Sequence, residues 1–163
     1  MSAMHSAVPM LHDYLIHSAA RLPQKIALVC GKQRISYREL DQRSNALANT
    51  LVARGVKRGD RVIVFGDNTL ETVVAFWAIL KANAVVSIVN PLTKADKLQY
   101  LIDDCRPTAL VTDAHLQRVW SEPCKSPHLG TVIVSGTLPD DRLAALPGGL
   151  RWADALSQGD GAA

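Results

Sequence analysis

The sequence predicts an α/β fold: a parallel sheet built from βαβ units with helices on both faces, plus an N-terminal helix and a small hairpin. Three observations predict it. Four short apolar runs, "RVIVFG", "VVSIV", "TALVT" and "TVIVS", follow one another from residue 61, each flanked by turn residues. Helix-period segments separate them, as parallel strands require. Helix-start signals with cap-to-N3 spacing stand at Ser36/Glu39, before the first of these strands, and at Asn68/Glu71, directly after it.

The elements follow in order. Residues 1–9 read as a loose tail. "MLHDYLIHSAARLP" (10–23) puts Leu11, Tyr14, Leu15 and Ala19 on one helical face, and Pro23 stops it. "KIALVC" (25–30) is a strand, and Gly31-Lys32 turns it into "QRIS", its hairpin partner. Ser36 caps the next helix, which presents Leu40, Leu47, Ala48 and Leu51 on one face and ends at Gly55. After the strand "RVIVFG", Asn68 is expected to cap "TLETVVAFWAILKA". Thr93 is expected to cap "KADKLQYLIDDC", which Pro107 ends, and Asp113 to cap the short helix "AHLQRVW".

The composition changes after about residue 120, where the last 43 residues hold six of the ten glycines and four of the eight prolines. "TVIVS" (131–135) is the last clear strand. "RWADAL" (151–156) predicts a short helix, and "SQGDGAA" reads as a linker. The chain therefore divides into a tail (1–9), an α/β subdomain (10–120) and a last strand with a Gly/Pro-rich connection (121–163).

Composition narrows the function classes. A hydrophobic fraction of 48% with 20% charged residues is that of a globular domain, and 5% aromatics leave the core to Leu, Val, Ile and Ala. A net charge of +3, with scattered basic residues, argues against a nucleic-acid partner. Cys30, Cys105 and Cys124 form neither a zinc spacing nor a disulfide framework and read as thiols of a reducing cytoplasm. No secretory leader is evident, and the longest apolar run, Val73 to Leu80, is far below the roughly 20 residues a membrane span needs.

A search for chemistry yields no active site. There is no GxGxxG and no phosphate loop. "FGDNT" (65–69) follows a strand and opens a helix, a place where backbone N–H groups meet anions, but Asn68 is expected to satisfy those donors itself. Of His5, His12, His17, His115 and His128, only His12 and His17 are close, and i, i+5 does not share a helix face. The pairs Asp103-Asp104 and Asp140-Asp141 read as solvated carboxylates. Ser36, Ser44 and Ser87 lie in no nucleophile elbow. Trp77 reads as core. The sequence assigns no catalytic and no metal-ligating residue, and leaves cofactor-binding residues unknown.

Two motifs, however, carry a resemblance. "SYREL" (36–40) and "LKANAVVSIVNPL" (80–92), followed by "PTALVTD" (107–113), stand in the order and spacing of the first two core motifs of the adenylate-forming superfamily, the AMP-dependent synthetases and ligases. The second motif is commonly LKAGAxxxPxxP, so Asn83 stands where the family usually has glycine. The ending "VNPL" looks closest to acyl-CoA synthetases. The resemblance covers about residues 10–120 and continues weakly to 163.

It implies an incomplete N-terminal subdomain of a larger enzyme. Such enzymes use ATP and Mg2+ to convert a carboxylic acid to an acyl-adenylate, then pass the acyl group to a thiol, usually coenzyme A. The family's phosphate loop, TSGSTGxPKG, is absent here, so the resemblance carries no adenylation residue onto this chain. It implies that the chain alone binds none of these cofactors and that its partner is the missing C-terminal part of the enzyme. Two other readings stay open: a truncated, non-catalytic docking module, and a nucleotide-binding α/β domain using the strand ends near Gly66 and Asn90.

Overall fold

The computed structural model describes residues 9–160. Helix α1 spans Leu11–Arg21, and strands β1 (Ile26–Cys30) and β2 (Gln33–Ser36) form an antiparallel hairpin. Then follow α2 (Tyr37–Ala53), β3 (Arg61–Phe65), α3 (Leu70–Lys81), β4 (Val85–Val89), α4 (Ala95–Cys105) and β5 (Ala109–Asp113). A 3-10 turn, a four-residue helix α5 (Gln117–Trp120) and a second 3-10 turn lead to β6 (Thr131–Ser135). The chain closes with α6 (Asp140–Ala144), β7 (Leu150–Arg151) and α7 (Trp152–Asp160). The predicted parallel sheet is present, with five strands in the order β4-β3-β5-β6-β7.

Side chains alternate across the sheet, as the pleat dictates. Val62 and Val64 of β3 enter one core with Leu47, Leu51, Val74 and Ile79 from α2 and α3. Ile63 and Phe65 of the same strand enter the opposite core with Leu98, Ile102 and Trp120 from α4 and α5. Both faces are thus covered, which is why the strands read as continuous apolar runs.

Helix α2 begins as the sequence predicts. The Ser36 Oγ accepts from the Glu39 N–H at 3.3 Å, and the Ser36 N–H donates to Glu39 Oε2 at 2.8 Å. The Ser36 N–H and the Ser36 hydroxyl both donate to the Glu39 carboxylate, and these two bonds lower its pKa. All four residues of the predicted apolar face are buried. At its end Gly55, at φ 92°, continues into a Schellman turn: Val56 N–H donates to Leu51 O and Gly55 N–H to Val52 O.

The same turn ends α3, with a different residue at its centre. Asn83 sits at φ 56°, its N–H donating to Leu80 O while Ala84 N–H donates to Ile79 O. Asn83→Gly is therefore expected to be neutral or stabilising by up to about 1 kcal/mol, as relief of left-handed strain offsets the entropy of glycine. A clear drop in the thermal midpoint would refute this account.

Three helices differ from the sequence reading. The α3 cap is Thr69, whose Oγ1 accepts from the Thr72 N–H at 3.3 Å; Asn68, one residue earlier, is exposed in the turn. Helix α4 starts without a side-chain cap, after Lys94. Asn90 Oδ1 instead accepts from Leu92 N–H at 2.8 Å, turning the chain before Thr93 is reached. Of the predicted α1 face only Leu15 is buried, while Leu11 and Tyr14 are exposed. Trp77 packs against the core as expected, though half-buried, its ring edge-on to Phe76 at 5.2 Å.

The C-terminal stretch departs most. Serine, glutamine and glycine suggest a linker there, yet residues 157–160 belong to α7. Thr50 Oγ1 donates to Ala155 O at 2.5 Å, and Asn49 Nδ2 to Gly159 O at 3.2 Å, joining α2 to α7. A Cβ at 159 would overlap the Ala46 carbonyl, so glycine is what lets the helices meet. The tail at residues 1–8 lies outside the described residues.

Candidate functional site

The order β4-β3-β5-β6-β7 reverses direction at β3. The chain leaves β3 for β4 on one side, then crosses to β5 on the other. In open α/β sheets the crevice beyond the strand ends at such a reversal is where ligands bind. Here it lies between the C-terminal ends of β3 and β5. Its lining includes Gly66, Asp67, Thr69, Glu71, Thr72, Asp113 and Ser135.

The crevice is cross-linked by hydrogen bonds. Thr112 Oγ1 donates to Phe65 O at 2.8 Å, and Thr72 Oγ1 to Asp67 O at 2.6 Å. Ser135 Oγ donates to Asp113 Oδ2 at 2.6 Å. Asp113 also does the capping expected of it, its Oδ1 accepting from His115 N–H at 2.9 Å. Above this, the His115 ring touches two carboxylates: Nδ1 lies 2.5 Å from Asp113 Oδ1, and Nε2 lies 2.9 Å from Asp67 Oδ2.

The electrostatics follow from these contacts. Partial burial pushes the Asp113 pKa up, but the hydrogen bonds from Ser135 and His115 outweigh it, leaving the pKa below the usual value. Chiefly the hydrogen bond to Asp113 raises the His115 pKa; slight desolvation opposes this, and the charges of Asp113 and Asp67 add to it. The serine bonds to a carboxylate and not to the imidazole. The arrangement therefore lacks the nucleophile–base contact of a hydrolytic triad.

The residues singled out in the sequence are scattered. His12 is half-buried beside Asp13, and His17 and His128 are exposed; His5 lies outside the described residues. Asp103 and Asp104 are exposed, as are Asp140 and Asp141, Asp140 pairing with Arg151. Ser36 is a cap, Ser44 donates to Asp41 O, and Ser87 is half-buried in β4. All three cysteines are free; burial pushes the Cys124 thiol up to about 12, which makes it inert. The cluster Asp67, Asp113, His115 and Ser135 was missed because the ends of three separate strands and the turns after them supply it. Its sequence trace is a polar residue at or just beyond the C-terminal end of each apolar strand.

The sequence matches the family described as AMP-binding enzyme over residues 15–157. The chain belongs to that family. Its relatives include peptide synthases and CoA ligases. Tyrocidine synthase 3 of Brevibacillus parabrevis is 37% identical over 107 residues, 66% of this chain and 2% of the relative. A medium/long-chain-fatty-acid–CoA/3-oxocholest-4-en-26-oate–CoA ligase of Mycobacterium marinum is 32% identical over 123 residues, 75% of this chain and 22% of the ligase. Among solved structures, the anthranilate CoA ligase AuaEII, in complex with anthranoyl-AMP, superposes with a TM-score of 0.83 at 25% identity. The match covers 96% of this chain and 30% of that one. The chain therefore spans less than a third of the length of these relatives.

Family membership implies ATP and Mg2+, and the residues present do not fit the nucleotide. The charged lining of the crevice is Asp67, Glu71 and Asp113, which repel a triphosphate. Among the described residues no group of three or more His, Cys, Asp or Glu is arranged to hold a metal ion. None of the described helices is long and apolar enough to cross a membrane.

Proposed function

We propose that this chain is the N-terminal subdomain of an AMP-forming carboxylate–CoA ligase and is inactive alone. In the whole enzyme a carboxylic acid would be activated by ATP to an acyl-adenylate and transferred to coenzyme A, in the cytoplasm. One combined observation carries the reading. The family match fills residues 15–157, yet the sequence holds no phosphate loop and spans only 22% of a CoA ligase relative. Residues 10–120 would be the structural subdomain, and 121–163 its connection toward the catalytic region.

The surface supports a missing neighbour. Among the described residues strand β4 is an edge strand, paired with β3 alone. Val85 and Ile88 on it are exposed, and beyond it Leu92 is 87% exposed. An apolar edge of this kind is normally covered. The remainder of the same enzyme is the partner this reading assigns to it.

The test is ATP–pyrophosphate exchange by the 163-residue chain against a panel of aliphatic and aromatic carboxylic acids. No exchange above the blank is expected. Exchange with any acid would overturn the reading, and calorimetric binding of ATP by the chain would instead support a free-standing nucleotide-binding module.

A further inference from the structure

We propose that His115 is a cationic clasp, closing the crevice between the ends of β3 and β5 at mildly acidic pH and releasing it as the pH rises. The argument is one of proton count. Both ring nitrogens lie within hydrogen-bond distance of a carboxylate oxygen, Nδ1 of Asp113 and Nε2 of Asp67. Carboxylates only accept. A neutral imidazole has a single N–H, so it can satisfy one of them and must turn a lone pair toward the other. Only the imidazolium makes both bonds.

The surrounding charges favour that state. The β3–α3 loop contributes Asp67, the first turn of α3 contributes Glu71, and β5 contributes Asp113. Strand β6 contributes an uncharged hydroxyl, that of Ser135. His115 thus faces the Asp113 carboxylate on one side and the Asp67 carboxylate on the other, and its pKa is raised accordingly.

The two ends of the clasp are unequal. Asp113 keeps the Ser135 hydroxyl and the His115 backbone N–H when the ring loses its charge. The Asp67 side chain is half exposed, and its loop is otherwise held by backbone carbonyl contacts, Thr72 Oγ1 and Thr69 N–H to Asp67 O. Deprotonation leaves the ring proton on Nδ1, beside the anchored carboxylate, and sets the Nε2 lone pair against Asp67. The Asp67 side therefore opens, and it is the loop at the topological reversal that is freed.

The sign of the pH dependence follows. A histidine whose folded-state pKa is raised stabilises fully below the unfolded value of about 6.5, and loses that contribution as pH rises through the folded value. Long-range 1H–15N NMR of the native chain is expected to show both His115 nitrogens protonated at about pH 6, with a midpoint above that of an ordinary histidine. Asp67→Asn is expected to lower the midpoint. The amides of Asp67, Asn68 and Thr69 are expected to exchange faster as the ring deprotonates. The thermal-midpoint gap between the native chain and His115→Gln should be widest at about pH 6 and shrink toward pH 8.5. A midpoint at or below the ordinary value, or one unmoved by Asp67→Asn, overturns the proposal.

Discussion

Trp120→Ala is expected to destabilise the chain by about 3–5 kcal/mol, among the largest losses a single substitution here can produce. Trp120 is fully buried. It fills the core on the α4 side of the sheet, among Leu98, Ile102, Cys124, Leu129 and Leu138. That core is built partly from short elements, α5 and two 3-10 turns, which have little stability of their own and rely on the packed indole. The ring also donates from Nε1 to Asp113 O at 2.8 Å, so the substitution removes a hydrogen bond to a carbonyl next to the crevice. Trp120→Phe separates the two effects, since it retains most of the volume but loses the N–H; about 1–3 kcal/mol is expected. Denaturant unfolding measures both. A loss under about 1 kcal/mol for the alanine variant would mean that this core collapses around the gap.

Asp41→Ala is expected to cost about 2–3 kcal/mol, less than the full penalty for breaking a buried pair because Lys81 keeps two neutral acceptors. The Lys81 side chain is 6% exposed, and its Nζ lies 2.6 Å from Asp41 Oδ1. Nζ also donates to Asn45 Oδ1 at 2.7 Å and to Asp41 O at 3.1 Å. Burial lowers the Lys81 pKa, and Asp41 opposes that by favouring the ammonium. Without the carboxylate the ammonium stays buried between α2 and α3 with only neutral partners. Lys81→Met should cost less, because the more exposed Asp41 regains water. The double variant should recover part of the loss, a positive coupling that a double-mutant cycle reads directly. Equal costs for the two single variants would count against this explanation.

The fold was legible where the deciding partners lie close in sequence. Ser36 and Glu39 are three residues apart, so the capping box could be read before it was seen. Asn83 could be placed in a left-handed turn because the motif it resembles usually has glycine there, and asparagine is the next-best residue at positive φ. Legibility failed where tertiary contact decides. Residues 157–160 have a linker's composition, but Gly159 meets the Ala46 carbonyl 113 positions earlier, and α7 continues. Thr93 has the chemistry of a cap, but Asn90 turns the chain first. Strand β7 has two residues, too few to show a period. The crevice was hidden for the same reason: Asp67, Asp113 and Ser135 become neighbours only once β3, β5 and β6 pair in parallel register.

The open flank of β4 has a practical consequence. "VVSIV" carries no charge and no proline, and Pro91 stops the strand only after its last residue. It has none of the usual devices against unwanted pairing, such as a lysine or a bulge. Two such flanks can zip together, and the extended assembly that results would be favoured by concentration and by warming. Light-scattering checks across a dilution series therefore belong alongside every melting curve recorded on this chain.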